Sequence, residues 1–146
     1  MPPPTESRLR VRYAETDNMG VVYYANYYIW MEVGRVDLCK DLGFNYRDME
    51  NHDDIFLAVA ESTCRYRNPA RFDDEVIVKT WIEDANTRMV TFRYEIRLAE
   101  GDLVLATGST RHVFVSRAMQ RMRLPEKYHG MFGITSLVGQ ALPPAN

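Results

Sequence analysis

The sequence predicts an α+β domain: a curved antiparallel sheet of about five strands wrapped around one long central helix. Three observations carry this. Read in helical steps, Tyr23 to Leu42 is apolar around most of its circumference, the mark of a helix buried in a core rather than laid on a surface. One alternating stretch precedes that helix and four follow it, each with period 2. The helix would run about 30 Å, the width of a small domain, and is the one element able to cover the apolar face of such a sheet.

Arg8 to Glu15 is the first strand, with Leu9, Val11 and Tyr13 in phase. Asp17-Asn18-Met19-Gly20 then turns the chain, since Asp and Asn bond their own backbone and Gly accepts positive φ. In the helix, Tyr24, Tyr28, Met31, Leu38 and Leu42 fall on one line, Tyr23, Tyr27, Trp30 and Gly34 on the next, and Ile29, Val33 and Val36 on a third. Glu32 and Arg35, three apart, are placed for an ion pair or a seam between subunits. Gly43 stops the helix, and Asn45 caps a further turn to Glu50, with Asp48 three residues on. Ile55 to Arg67 is a strand ended by Asn68-Pro69. Glu75 to Glu83 follows, then a turn at Asp84 to Thr87. Arg88 to Glu100 alternates most cleanly, with Val90, Phe92, Tyr94, Ile96 and Leu98 on one face. Glu100-Gly101-Asp102 makes a hairpin into Leu103 to Ser116. Arg117 to Arg123 is a basic loop, and Pro125 opens a short last helix. Residues 1–146 read as a single domain with loose termini at about 1–6 and 138–146. Such a sheet has open edges, which are usually covered by pairing, so a homodimer is expected.

A length of 146 residues suffices to bury a core without disulfides. The net charge of −2 gives no reason to expect a nucleic-acid partner. Cys39 and Cys64 lack metal-ligand spacing and read as reduced thiols. The N-terminus has neither the basic region nor the apolar run of a secretory signal, and no stretch reaches the ~18 apolar residues of a membrane span. A cytoplasmic protein is expected.

No GxSxG elbow, P-loop, dinucleotide glycine fingerprint or HExxH is present. His52, His112 and His129 stand far apart, and His112, alternating with Thr110 and Phe114, reads as structural. What remains is Asp17, on the tight turn before the helix. The first helical amides lack internal partners and carry partial positive charge, and no Ser, Thr, Asp or Asn immediately precedes Tyr23-Tyr24 to cap them. A carboxylate beside free amide donors suits acyl transfer, as nucleophile or as general base for water. A thioester fits that machinery, because its thiol leaves with little acid help. The other reading of Asp17 is that it only shapes the turn.

The stretch Tyr13-Ala14-Glu15-Thr16-Asp17-Asn18-Met19-Gly20-Val21-Val22-Tyr23-Tyr24-Ala25-Asn26-Tyr27 resembles the signature of hotdog-fold acyl-CoA thioesterases. It is similar above all to the 4-hydroxybenzoyl-CoA thioesterase type and the thioesterases associated with the Tol-Pal system. Tyr66-Arg67-Asn68-Pro69-Ala70-Arg71-Phe72-Asp73-Asp74 resembles the strand-to-loop segment of the same family, and the likeness runs from Arg8 to Pro125. It implies a hotdog fold built as homodimers that pair into homotetramers. It also implies Asp17 as the essential acid, and the Tyr24 backbone amide as the group that polarises the thioester carbonyl. Gly20 and Val21 border the substrate, and Tyr13 matches a tyrosine four before the aspartate in the Tol-Pal type. That type has a histidine seven after the aspartate; here stands Tyr24, as in the 4-hydroxybenzoyl type, a departure that leaves catalysis intact but weakens the transfer of substrate preference and of a Tol-Pal role. No metal and no cofactor is implied, coenzyme A entering as part of the substrate.

Glu61, in phase with Leu57 and Val59, is the backup acid, with pairing to a nearby arginine as the competing reading. Arg88 and the loop arginines Arg117, Arg121 and Arg123 are candidates for the CoA phosphates. The expected activity is hydrolysis of an acyl- or aroyl-CoA to free acid and CoA. The rivals are a thioesterase for acyl groups on acyl carrier protein and a non-catalytic acyl-CoA binding domain.

Overall fold

In the computed structural model, which describes residues 2–135, five strands form a single antiparallel sheet. They are β1 (Thr5–Arg10), β2 (Phe56–Tyr66), β3 (Glu75–Ala85), β4 (Met89–Leu98) and β5 (Val104–Val115). Their order is β1-β3-β4-β5-β2, with every neighbouring pair antiparallel. Helix α1 (Asn26–Leu42) packs chiefly on β1 and β3. A shorter α2 (Tyr46–Asp53) follows it, started by Asn45, whose side chain accepts the Asp48 amide at 2.9 Å. Gly43, with φ 110°, ends α1 as expected. Pro125 precedes a single 3-10 turn, Glu126–Tyr128.

The core lies between α1 and the sheet. Val76, Val78 and Ile82 of β3, Phe92, Tyr94 and Ile96 of β4, and Leu105, Ala106 and Phe114 of β5 form one buried cluster with Trp30, Met31 and Leu38 of α1. Carboxylates on α1 take the hydroxyls of β1: Ser7 donates to Asp37 at 2.6 Å and Thr5 to Asp41 at 2.7 Å. A buried polar chain crosses from helix to sheet. Arg35 Nη1 donates to Tyr94 Oη at 3.1 Å, Tyr94 meets Thr110 at 2.6 Å, and Thr110 meets His112 Nε2 at 2.8 Å. Burial, reinforced by the Arg35 cation, pushes the His112 imidazole down to about 4.

Four expectations are corrected. The first strand spans Thr5–Arg10, so Thr5 and Glu6 are not a loose terminus; Tyr13–Glu15 is a 3-10 turn, held because Glu15 folds back to accept the Arg12 amide. The helix starts at Asn26, with Tyr23 to Ala25 forming the turn before it. It is also not buried all round, because Tyr23, Tyr24 and Ile29 are exposed in the single chain. Arg35 bonds Tyr94, and no ion pair with Glu32 forms among the described residues. The expected loose segment 138–146 lies outside the described residues.

Candidate active site

The turn between β1 and α1 is built by backbone rules and pinned by one buried carboxylate. Asp17 Oδ1 accepts the Met19 amide at 2.8 Å and the Val21 amide at 3.4 Å, an Asx-type closure. Gly20 supplies the positive φ of 81° that the turn needs. Beneath it Glu15 is 5 % exposed. Its carboxylate accepts from the Arg12 guanidinium at 3.0 Å and the Trp30 indole at 3.0 Å. Its carbonyl oxygen takes the Tyr23 amide and the Asn26 side chain, both at 2.8 Å. Burial alone would raise the Glu15 carboxyl, but the bonds from Arg12 and Trp30 outweigh it and hold the group below its ordinary value. Glu15 thus ties the end of β1, the Asp17 turn and the start of α1 into one unit, a link that a reading of the sequence for charge and spacing misses.

Asp17 lines an open cleft of about 360 Å³ together with Val21, Tyr24, Tyr27, Tyr66 and Arg67. One carboxylate oxygen is anchored by the turn; Oδ2 has no hydrogen-bond partner among the described residues. The amides of Tyr24 and Ala25 make no backbone hydrogen bond among those residues either, and α1 has no side-chain cap. Tyr66 Oη donates to the Tyr24 carbonyl at 3.1 Å and its ring meets Tyr27 edge-on at 5.2 Å, so aromatic side chains wall the cleft. Burial pushes both phenols above their ordinary range, which keeps them neutral. The cleft therefore offers an oriented carboxylate oxygen, unpaired amide donors at a helix start and an apolar wall.

The other residues singled out by sequence fall in four places. Gly20 and Val21 sit on the Asp17 turn itself. Tyr13 stacks on Phe72 at 3.9 Å, 73 % exposed, with its ring outside the cleft lining. Glu61 lies on the opposite face of the sheet from Val59, because an irregularity in register between Val59 and Glu61 shifts the alternation by one. There it faces Arg111 at 3.8 Å, with both side chains exposed. The chain brings Arg88, Arg117, Arg121 and Arg123 to one end of the sheet: the Arg88 carbonyl accepts the Phe114 amide at 3.1 Å, Arg123 donates to Thr87 at 3.2 Å, the Arg121 backbone bridges Val115, and Arg117 covers the Phe56 ring at 4.8 Å. This basic cluster sits at the Phe56 end of β2, roughly 33 Å along the strand from the Tyr66 end that borders Asp17. Within one chain it does not reach the cleft. Arg67, which does, was not singled out, because nothing in its spacing marks it.

Comparison with known proteins agrees with this fold. Residues 19–105 match the model of the Thioesterase superfamily. YneP of Bacillus subtilis, provisionally named an acyl-CoA thioesterase, is 42 % identical over 113 residues, covering 77 % of this chain and 80 % of that one. Acyl-CoA thioester hydrolase YbgC of Escherichia coli O157:H7 is 31 % identical over 96 residues, 66 % of this chain and 71 % of its own. The structure of DHNA-CoA thioesterase from Staphylococcus aureus superposes with a TM-score of 0.85 at 33 % identity over 89 % of each chain. With the fold and these relatives in agreement, the chain belongs to the thioesterase superfamily and is a thioester hydrolase of the hotdog fold.

Proposed function

We propose that the chain hydrolyses acyl- or aroyl-CoA thioesters to free acid and CoA, with Asp17 as the acting carboxylate. The observation that carries this is the division of labour in Asp17: Oδ1 is spent on the turn while Oδ2 is unbonded, in a cleft shared with Tyr24. In this reading the thioester carbonyl lies against the Tyr24 amide, where developing negative charge meets an unpaired N–H and the positive end of α1. Asp17 Oδ2 either attacks the carbonyl carbon, giving a mixed anhydride that water opens, or takes a proton from the attacking water. The thiolate leaves in both routes without an acid, and neither route uses a metal or cofactor. The names of the relatives support the CoA thioester as substrate, and the aromatic wall of Tyr24, Tyr27 and Tyr66 suits its acyl group.

The same reading places the enzyme in the cytoplasm as a homodimer, pairing further into a homotetramer. The exposed β2 edge supports the dimer. Antiparallel pairing of two β2 edges lays the Phe56 end of one copy beside the Tyr66 end of the other, which brings the second copy's Arg88 and Arg117 to Arg123 cluster round to the Asp17 cleft. Asp17→Asn keeps the side chain's shape and its turn bonds while removing the charge. We expect kcat on acyl-CoA to fall by ~10²-fold or more with the fold intact. Unchanged hydrolysis in that variant would remove Asp17 from the mechanism, and Glu61 would be tested next.

A further inference from the structure

A second cavity, of about 450 Å³, opens beside β2 and shares a wall with the Asp17 cleft. Thr63, Arg65, Arg67, Arg93 and Thr107 line it, and Arg67 lines both spaces. Cross-strand register explains the gathering. Arg93 pairs with Ser109 and Ser109 with Thr63, while Thr107 pairs with Arg65, so these side chains share the face of the sheet away from Phe92, Tyr94 and Ile96. Among the described residues three guanidinium groups line the cavity and no carboxylate does. Among the described residues Arg65 and Arg67 pair with no acid, and Arg93 approaches Glu83 only at 3.8 Å. Glu95, next along the Thr107 row, is drawn to Arg97 at 3.9 Å. Gathered guanidiniums repel one another unless an anion sits among them, and their forked donors match the oxygens of a phosphate.

We propose that this cavity holds the phosphate of a phosphopantetheine arm, the group that coenzyme A and acyl carrier proteins have in common. The proposal rests on the thioester reading of the Asp17 cleft. Arg67 borders both spaces, so an extended pantetheine arm passing over it runs from the aromatic cleft into the cavity. The thioester then occupies the aromatic cleft, and the charged end lies on the far side of Arg67.

The test measures kcat/KM for one acyl group carried on pantetheine, on 4′-phosphopantetheine and on coenzyme A. Wild type should favour both phosphorylated carriers by about tenfold to a hundredfold, the worth of one or two charged hydrogen bonds. Arg65→Gln/Arg93→Gln should bring that ratio near one, and Arg65→Gln alone, on an exposed side chain that cannot upset the core, should lower it in part. Arg111→Gln, on the same sheet face but outside the cavity, should keep it. An unchanged ratio in the double variant, or a preference seen only with coenzyme A, overturns the assignment. The acyl carrier protein ester, run alongside, separates the two sources: the double variant must lose activity on whichever carrier wild type prefers. Calorimetric titration with coenzyme A needs no turnover. If wild type hydrolyses nothing yet binds coenzyme A at least tenfold better than the double variant, the cavity stands and the catalytic reading fails. Equal affinities with hydrolysis intact remove the cavity alone.

Discussion

Asp17 meets two demands with one carboxylate, and its neighbours explain how. The Met19 and Val21 amides take Oδ1 and fix the plane of the group, leaving Oδ2 unbonded. Glu15 does the opposite work: buried and bonded on both oxygens, it anchors the turn that Asp17 occupies. His112 shows a third use of burial. It is 1 % exposed and bonded through Nε2 to Thr110, with Nδ1 unpartnered among the described residues and the Phe92 ring edge-on at 5.4 Å. Its imidazole is pushed down to about 4, first by burial and then by Arg35 on α1, whereas an unfolded histidine takes up a proton near pH ~6.5. Between those values the unfolded chain binds more protons than the folded one, so protonation favours unfolding. The stability held by neutral His112 is complete above about pH 6.5 and declines as pH falls toward 4, by about 3 kcal/mol in all. Urea unfolding at pH 7.5 and 4.5 should therefore show a larger loss in wild type than in His112→Gln. Equal losses would mean that other groups carry the acid sensitivity.

At the scale of elements, the close approach of α1 to β3 depends on Gly34. A Cβ there would overlap Thr80 Oγ1 and stand 3.0 Å from Val78 Cγ1, and Thr80 Oγ1 is itself buried without a partner among the described residues. Alanine in place of glycine gains up to about 1 kcal/mol of helix propensity, yet overpacking a close contact costs ~1–3 kcal/mol. Gly34→Ala should accordingly lower stability by about 1–2 kcal/mol in denaturant unfolding, and Thr80→Ala in the same chain should recover most of it. A Gly34→Ala protein as stable as wild type would show that the helix moves away at no cost. Gly34 also illustrates what a sequence displays and what it hides. Its line with Tyr27 and Trp30 marks the face of α1 that turns to the sheet, because burial imposes a 3.6-residue period on composition. The same logic made the four later strands legible. It failed at Val59 to Glu61, where one extra residue reversed the alternation and carried Glu61 to the face of Arg111. It failed at Tyr13, whose in-phase position continues the β1 pattern although Glu15 has already folded the chain into a 3-10 turn. Asp17 was legible because turn residues beside an uncapped apolar helix are a local signal. The setting of Arg67 and the remoteness of Arg117 from Asp17 depend on which end of β2 meets which turn, and local pattern carries no such information.

For the molecule as a whole, the imbalance between the two edges of the sheet matters most. β1 is short and tied to α1 through Ser7 and Thr5. β2 runs 11 residues along the other edge with most of its side chains exposed, on the half of the sheet that α1 does not cover. Val59 is 59 % exposed and Tyr66 44 %, and Tyr24 on the neighbouring turn is 59 % exposed. A long edge strand carrying apolar side chains invites another chain; β2 holds no proline or lysine, although its register shifts between Val59 and Glu61. In the proposed dimer a second copy of β2 would satisfy the free backbone groups and cover Val59 and its neighbours. It would also bring a basic end to the Asp17 cleft, so that assembly and activity would be linked. Light scattering of wild type at micromolar concentration should give twice the 17.0 kDa chain mass or a multiple of it. Val59→Lys places a charge in that seam, where burying it unpaired costs several kcal/mol, and should shift the mass toward a single chain. Because Val59 lies on an exposed strand and outside the Asp17 cleft, the variant should stay folded as a monomer, and its kcat/KM on acyl-CoA should fall with its mass. A wild type that is monomeric and fully active would detach the site from the edge, whereas a dimeric Val59→Lys would move the seam to another surface.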